Sequence, residues 1–283
     1  MSIATTQQQI AFFGATGGCT NACLVHTLNA GFHATTLART PSKLTSMLLA
    51  QGLAQSTLDS QLTIVKGDIS DISAIKSVLT NNSATFQVAS QIISGIGGAP
   101  KIQKSLRRPV TVDNPEICAT ATKNIVQALQ EIYEAQPSTA QHKPSITVIS
   151  STGISDVKED VPFGFRTLYH VGLATPHKDK KEMERLVLEN SGAGGAFCGA
   201  VIVRPSLLTG DQSVKGGKGW GKLKVGREEE PAVGYTVHRA DVGEWIFEKV
   251  VKAGDCGESF FGQKVTLTTL EFDLFQSEIA KIA

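Results

Sequence analysis

Cysteines paired at metal-ligand spacing are missing from this sequence. Cys19, Cys23, Cys118, Cys198 and Cys256 are odd in number, scattered, and without the spacing of a metal site. They read as ordinary thiols in a reducing, cytoplasmic compartment, with Cys19 and Cys23 buried one turn apart on a predicted helix. Aromatic residues are scarce, at 6%, and charge of either sign barely dominates, with 27 Lys plus Arg against 26 Asp plus Glu. Neither nucleic acid nor an acidic membrane surface is therefore an expected partner. Long apolar runs are also lacking: IAFF is far too short for a signal peptide or a membrane span, and the MSIATTQQQ before it has no basic region. There is no GxSxG elbow, no HExxH pair and no P-loop lysine, and the histidines at 26, 33, 142, 170, 177 and 238 are dispersed. Triad hydrolysis and metal catalysis lack their residues. The basic runs KIQKSLRR and VKGGKGWGKLK, with Trp220 as their one aromatic, read as solvated loops. A small molecule is the expected partner, bound by a monomer or homodimer.

What is present is an alternation. QIAFFGA, FHATTLAR, LTIVKGD (62–68), ATFQVASQIIS (84–94), SITVISSTG (145–153) and AFCGAVIVRPS read as apolar strands. Helical patterns separate them: GGCTNACLVHTLNAG closed by Gly31, PSKLTSMLLAQG led by Pro41, DISAIKSVLT, a long helix from near Pro115 capped by Asp113 or Asn114, and HKDKKEMERLVLENSG. Strands and helices alternating over some 200 residues imply an α/β fold with a doubly wound parallel sheet. From Ser206 the texture changes to SLLTGDQSVKGGKGWGKLKVGREEEP, which reads as a mobile cap; a helix ADVGEWIFEKVVKAG and a closing strand ESFFGQKVTL follow. The expected division is residues 1–205 as a nucleotide-binding domain and 206–283 as a small, contiguous substrate-binding portion.

FFGATGGCT (12–20) lies between the first strand and first helix, where a glycine turn holds a dinucleotide's pyrophosphate on helix N–H groups. Gly14 supplies the tight bend and Gly17 the close approach, while Thr20 stands where a third glycine packs helix on strand. Thr16, Gly18 and Cys19 complete the turn and helix head. A binder of NAD places an acid about 20 residues further on to grip the ribose 2′-hydroxyl. No acidic residue precedes Asp59, and LARTPSK stands there instead. Arg39, with Lys43 one turn beyond, suits a 2′-phosphate, so NADP(H) is the expected cofactor. Asp68, followed by Ile69, ends the third strand and either faces the adenine or caps the next helix. Ser94 and Gly95, opening SGIGG, place small residues where backbone passes the ribose or nicotinamide.

With GATGGCT, LARTPSKL, VKGD, ISSTG, DKKEME and VIVRPSLLTG in this order, residues 9 to 250 resemble the NmrA-like group of atypical short-chain dehydrogenases/reductases, fungal relatives included. The resemblance implies a Rossmann core, NADP(H) at the residues just named, and a substrate pocket roofed by the C-terminal third. It aligns Ser151 or Thr152 with the serine after the fifth strand, Lys180 with a helix-leading lysine, and Arg204-Pro205 with a strand-end pair. Better-known members of that superfamily carry a Tyr and a Lys on one helix with three residues between them. Here that step from Tyr169 lands on Leu173, and Tyr133 and Tyr235 lack the pair as well. Lys180 is the leading candidate for ribose clamp or proton carrier, with Lys178 and Lys181 as rivals. Tyr169 and His170 are candidate proton donors or packing groups, and Ser151 and Thr152 candidate partners of a substrate carbonyl. The expected function is an NADP(H)-dependent oxidoreductase acting on a small organic carbonyl or alcohol. The alternatives are a non-catalytic NADP(H)-sensing regulator and a cofactor-dependent isomerase.

Overall fold

The computed structural model describes residues 8–80, 87–98, 100–102, 110–254 and 260–269. Its strands are β1 (Gln9–Phe13), β2 (His33–Ala38), β3 (Leu62–Lys66), β4 (Gln91–Ser94), β5 (Pro100–Ile102), β6 (Val110–Val112), β7 (Ser145–Ile149), β8 (Gly199–Pro205), β9 (Leu207–Thr209), β10 (Leu223–Arg227), β11 (Thr236–His238) and β12 (Gln263–Thr269). The helices are α1 (Gly18–Asn29), α2 (Pro41–Ala50), α3 (Gln55–Gln61), α4 (Ile72–Leu79), α5 (Ile117–Ala135), α6 (Ala174–Glu189) and α7 (Arg239–Ile246). No helix among the described residues is long and apolar enough to cross a membrane.

Eight strands form one sheet in the order β10-β12-β8-β7-β4-β1-β2-β3, parallel except at the β10 edge. Side chains alternate across each strand, and both faces of β1 are apolar. Ile10 and Phe12 enter a core with α1, α2, α3 and α7. Ala11 and Phe13 enter the opposite core with α4, α5 and α6. Helices thus cover both faces, and the fold is the doubly wound α/β sheet read from the alternation. The chain runs from β1 outward to β2 and β3, then returns to add β4 on the other side of β1. That reversal leaves a crevice beyond the carboxyl ends of β1 and β4, the usual ligand position in such sheets.

Four local readings differ. The fourth strand spans Gln91–Ser94, not 84–94, and residues 84–86 lie outside the described residues. Before it the backbone turns aside to bond neighbouring elements: Ala89 N–H donates to Leu79 O (2.8 Å) and Ser90 N–H to Gln9 O (3.0 Å). The helix α5 starts at Ile117, beyond Pro115, and Asn114 Oδ1 accepts from Glu116 N (3.1 Å) just before it; the N–H groups of its first turn have another acceptor. Asp179 on α6 accepts those of Cys118 and Ala119, each at 2.9 Å. Part of the basic loop, 103–109, is outside the described residues, and its flanks pair as β5 and β6. The segment read as a mobile cap is strapped down: β9 pairs with β11, and Val214, Gly219 and Trp220 donate their N–H groups to Gln51, Asp241 and Glu244. Cys19, Cys23 and Cys118 are buried free thiols, whereas Cys198 is disulfide-bonded. The cysteines therefore lend no support to a reducing compartment.

Gly243 sets the approach of α7 to α1. A Cβ there would overlap the Cys19 carbonyl oxygen and stand 2.6 Å from Ala22 Cβ and 2.8 Å from Cys23 N. Backbone cannot yield as a flexible side chain would, so Gly243→Ala is expected to destabilise the protein by about 1–3 kcal/mol through overpacking. The shift of the urea midpoint checks this; an unchanged midpoint contradicts it.

Candidate active site

At the strand-order reversal two backbones touch. Gly14 has φ +79°, and a Cβ there would lie 2.8 Å from the Gly95 carbonyl carbon. Gly95, held by its N–H bond to Phe13 O (2.9 Å), has Thr20 against it in turn, so that a Cβ on Gly95 would overlap Thr20 Oγ1. This explains the threonine in the third glycine position. Thr20 is buried, and the missing side chain has moved to its partner, Gly95. The turn is fastened by Gly17 N–H to Gly14 O and by the buried Asn21 Nδ2 to Ala15 O, both 2.8 Å. Asn21 is absent from the expected set because a buried asparagine within an apolar helix face has no signature of its own.

Thr16 and Gly17 are exposed at the mouth of the turn, and the N–H groups of Gly18, Cys19 and Thr20 head α1. The first N–H groups of a helix have no acceptor within it, and they form its positive end. No acidic residue in the first turn of α1 offsets that charge. Burial pushes the Cys19 thiol up to about 12, so Cys19 offers its backbone and not a thiolate.

Arg39 follows β2 directly and Lys43 lies on the first turn of α2; both side chains are exposed. Asp68 does not cap α4. Its Oδ1 accepts from Ser70 N (3.1 Å) and Ser70 Oγ (2.9 Å), and Asp71 is the residue that caps, accepting from Ala74 N at 3.1 Å. Ile69 is buried, with its carbonyl bonded to Asn124 Nδ2 (2.8 Å), and Ser94 closes β4 beside Gly95.

Beyond β7, Lys180 Nζ donates to Ile149 O at 2.8 Å, and its charge reaches Cys19 at the head of α1. The two rivals lie elsewhere: Lys181 pairs with Asp156, and Lys178 is exposed along a cavity of about 1080 Å³ between α5 and α6. No residue of the glycine turn lines that cavity. Ser151 is half-buried, while Thr152 is buried and donates its N–H to the Pro205 carbonyl (3.1 Å). Arg204, before it, is buried in a chain of charges: its guanidinium meets Glu184 at 2.6 Å and Glu228 at 3.0 Å, Glu184 also accepts from Ser150 Oγ (2.6 Å), and Glu228 binds Lys264 (2.8 Å).

Tyr169 and His170 share a π-helical turn, Leu168–Gly172, but not an environment. His170 is exposed, 3.2 Å from Glu159 Oε2. Tyr169 is buried, and burial holds its phenol above the usual range. Around Gly153 (φ +84°) a cluster unforeseen in the sequence gathers Tyr169, His177 and Asp160. Asp160 Oδ1 accepts from Gly153 N at 2.7 Å, while Asp160 Oδ2 and His177 Nε2 are buried without a partner among the described residues. Burial raises the Asp160 pKa. Burial, then the charge of Lys180, lowers that of His177 to about 4.

A glycine turn at the head of a helix, basic residues after β2, and a crevice at the strand reversal define a nucleotide-binding doubly wound α/β protein. The family model described as NAD(P)H-binding matches residues 14–252, and the chain belongs to that family. It is 44% identical over 269 residues to Reductase pytE of Aspergillus terreus, spanning 94% of this chain and 100% of that protein. It is 45% identical over 280 residues to Oxidase pynE of Aspergillus niger, spanning 92% and 98%. The oxidoreductase ylbE of Lactococcus lactis, 14% identical with 97% of each chain covered, shares the fold at a TM-score of 0.60. The cofactor is therefore a nicotinamide dinucleotide, and the residues fit one: the Gly14–Gly95 contact leaves the helix head open, and no carboxylate stands in the first turn of α1.

His177 generates a pH prediction. A histidine whose folded pKa lies below its unfolded value stabilises the protein above the unfolded pKa and loses that contribution as pH falls. The window runs from about 6.5 down to about 4, an effect on the order of 3 kcal/mol. Urea midpoints of the parent should fall across this range by clearly more than those of His177→Asn; parallel curves contradict the assignment.

Proposed function

We propose that this protein is an NADP(H)-dependent oxidoreductase acting on a small organic carbonyl or alcohol, of the atypical short-chain dehydrogenase/reductase type. The observation that carries the reading is the place of Lys180, whose Nζ is fixed to the last carbonyl of β7 while its charge reaches the head of α1. A cation there lies between cofactor and substrate sides of the crevice. The names of the fungal relatives, one a reductase and one an oxidase, support a redox reaction in either direction.

When bound, the nicotinamide supplies or accepts hydride. The protein supplies position and a proton. The N–H groups of Gly18, Cys19 and Thr20 hold the pyrophosphate, and Arg39, assisted by Lys43, holds the 2′-phosphate, with no acidic residue before Asp59 to oppose it. Ser151, half-buried at the end of β7, donates a hydrogen bond to the substrate oxygen, and Lys180 is the proton carrier. Tyr169 is a positioning residue. In the usual tyrosine–lysine pair a neighbouring ammonium lowers the phenol pKa, whereas here burial raises it behind Thr152. Residues 206–283 form the substrate-side portion.

Loss of NADPH absorbance against a panel of aldehydes and ketones tests the activity. Lys180→Met should slow turnover by about 100-fold or more while the protein still binds cofactor. No turnover with any carbonyl, together with clearly different affinities for NADP and NADPH, would instead favour a sensor. For the choice of dinucleotide, Arg39→Ala should weaken NADPH binding by about 10- to 100-fold and leave NADH binding nearly unchanged. Equal parental affinity for the two cofactors refutes the 2′-phosphate assignment.

A further inference from the structure

We propose that Arg239 is a pyrophosphate-binding residue of the cofactor site, contributed by the C-terminal part of the chain. The proposal rests on the dinucleotide reading of the glycine turn. Arg239 opens α7, whose N-terminus is capped by His238 Nδ1 accepting from Ala240 N at 3.2 Å. Its side chain crosses the glycine turn directly: a Cβ on Gly18 would overlap Arg239 Cδ and lie 3.1 and 3.2 Å from its Cβ and Cγ. The aliphatic stem therefore lies on Gly18, and the guanidinium stands beside the first N–H groups of α1.

That arrangement is electrostatically uncompensated. The head of a helix carries a partial positive charge, and a cation brought against it is repelled unless an anion lies between. The first turn of α1 has no acidic residue. Arg239 has no ion pair among the described residues, and its one hydrogen bond there is from Nη1 to the Gly210 carbonyl at 2.5 Å. The carboxylates that flank it in sequence do not pair with it: Asp211 Oδ1 accepts from Ser213 N at 2.7 Å and Asp241 Oδ1 from Gly219 N at 2.8 Å, while Asp241 Oδ2 is buried with no partner among the described residues. Lys180 brings a second cation to the same helix end, since the Cys19 thiol feels the charges of both. Two side-chain cations and a helix dipole converge where no carboxylate answers them, and a guanidinium with most of its N–H donors still available suits phosphate oxygens. Gly18 has its own explanation here, since a side chain at that position would displace the arginine stem.

Arg239 and Arg39 would then serve different parts of one ligand. Arg39 meets the 2′-phosphate that only NADP(H) carries, whereas Arg239 meets the pyrophosphate common to NADP(H) and NAD(H). Binding of NADPH and NADH, measured by calorimetry on the full chain, separates them. Arg239→Met, which keeps an apolar stem over Gly18, should weaken both dinucleotides by a similar factor of about 10 to 100. Inorganic pyrophosphate should compete with NADPH in the parent and much less in the variant, and Arg239→Lys should fall between the two. Circular dichroism and thermal midpoints establish that the variants are folded; if Arg239→Met is not, Arg239→Gln takes its place. Parental affinity for both dinucleotides in the neutral variant overturns the proposal, and so does a loss confined to NADPH. A parent that binds neither dinucleotide refutes the underlying cofactor reading instead.

Discussion

The site depends on one steric constraint, the passage of two backbones past each other where the strand order reverses. β1 and β4 are neighbours, and the loops leaving them must diverge to opposite faces of the sheet. Gly14 and Gly95 meet at that point, with no room for a Cβ on the first of them. Their contact brings the head of α1 close to the end of β4, and Thr20 then fills the space that Gly95 leaves. Substituting either glycine would move helix, turn and strand end together. The geometry of the cofactor crevice is thus a packing property before it is an electrostatic one.

On that frame, charge is distributed unevenly. Arg39, Lys43, Lys180 and Arg239 stand around strand ends and the head of α1, and Asp68, Asp211 and Asp241 each accept a backbone N–H there. The opposite side, around Gly153, gathers groups whose charged forms burial disfavours: the pKa values of Tyr169 and Asp160 are raised and that of His177 is lowered. Tyr169 belongs to this side, where burial raises the phenol that a tyrosine–lysine pair would acidify.

Much of the fold was legible because local patterns carry it. Period-two and period-3.6 apolar spacing located β1, β2, β3, β7, β8 and the helices between them except the short α3, and the glycine turn was recognisable from its setting between strand and helix. The exposed place of Arg39 directly after β2 was legible because it depends only on a short distance along the chain. What escaped was long-range. The capping of α5 by Asp179 joins residues about 60 apart, the strapping of residues 214–220 relies on acids of α7, and Arg239 reaches Gly18 across more than 200 positions. Each is a pairing made by tertiary proximity, and in sequence these side chains look like solvated charges. The exchange of roles between Thr20 and Gly95 escaped for the same reason: a missing side chain on one element compensates an added one on another.

The buried chain from Ser150 through Glu184, Arg204 and Glu228 to Lys264 ties α6 to β8 and β12. Only its Glu184–Arg204 link is fully buried, at 5% and 2% exposure, so deleting Arg204 leaves Glu184 charged and without its ion pair in the interior, a loss of about 3–5 kcal/mol. Replacing several at once by well-packed apolar groups carries no such penalty. The route by which this part of the molecule can diverge is therefore narrow: single substitutions are blocked, and only concerted ones pass. Among descendants of this fold, these positions should drift as a block, whichever substrate each comes to use.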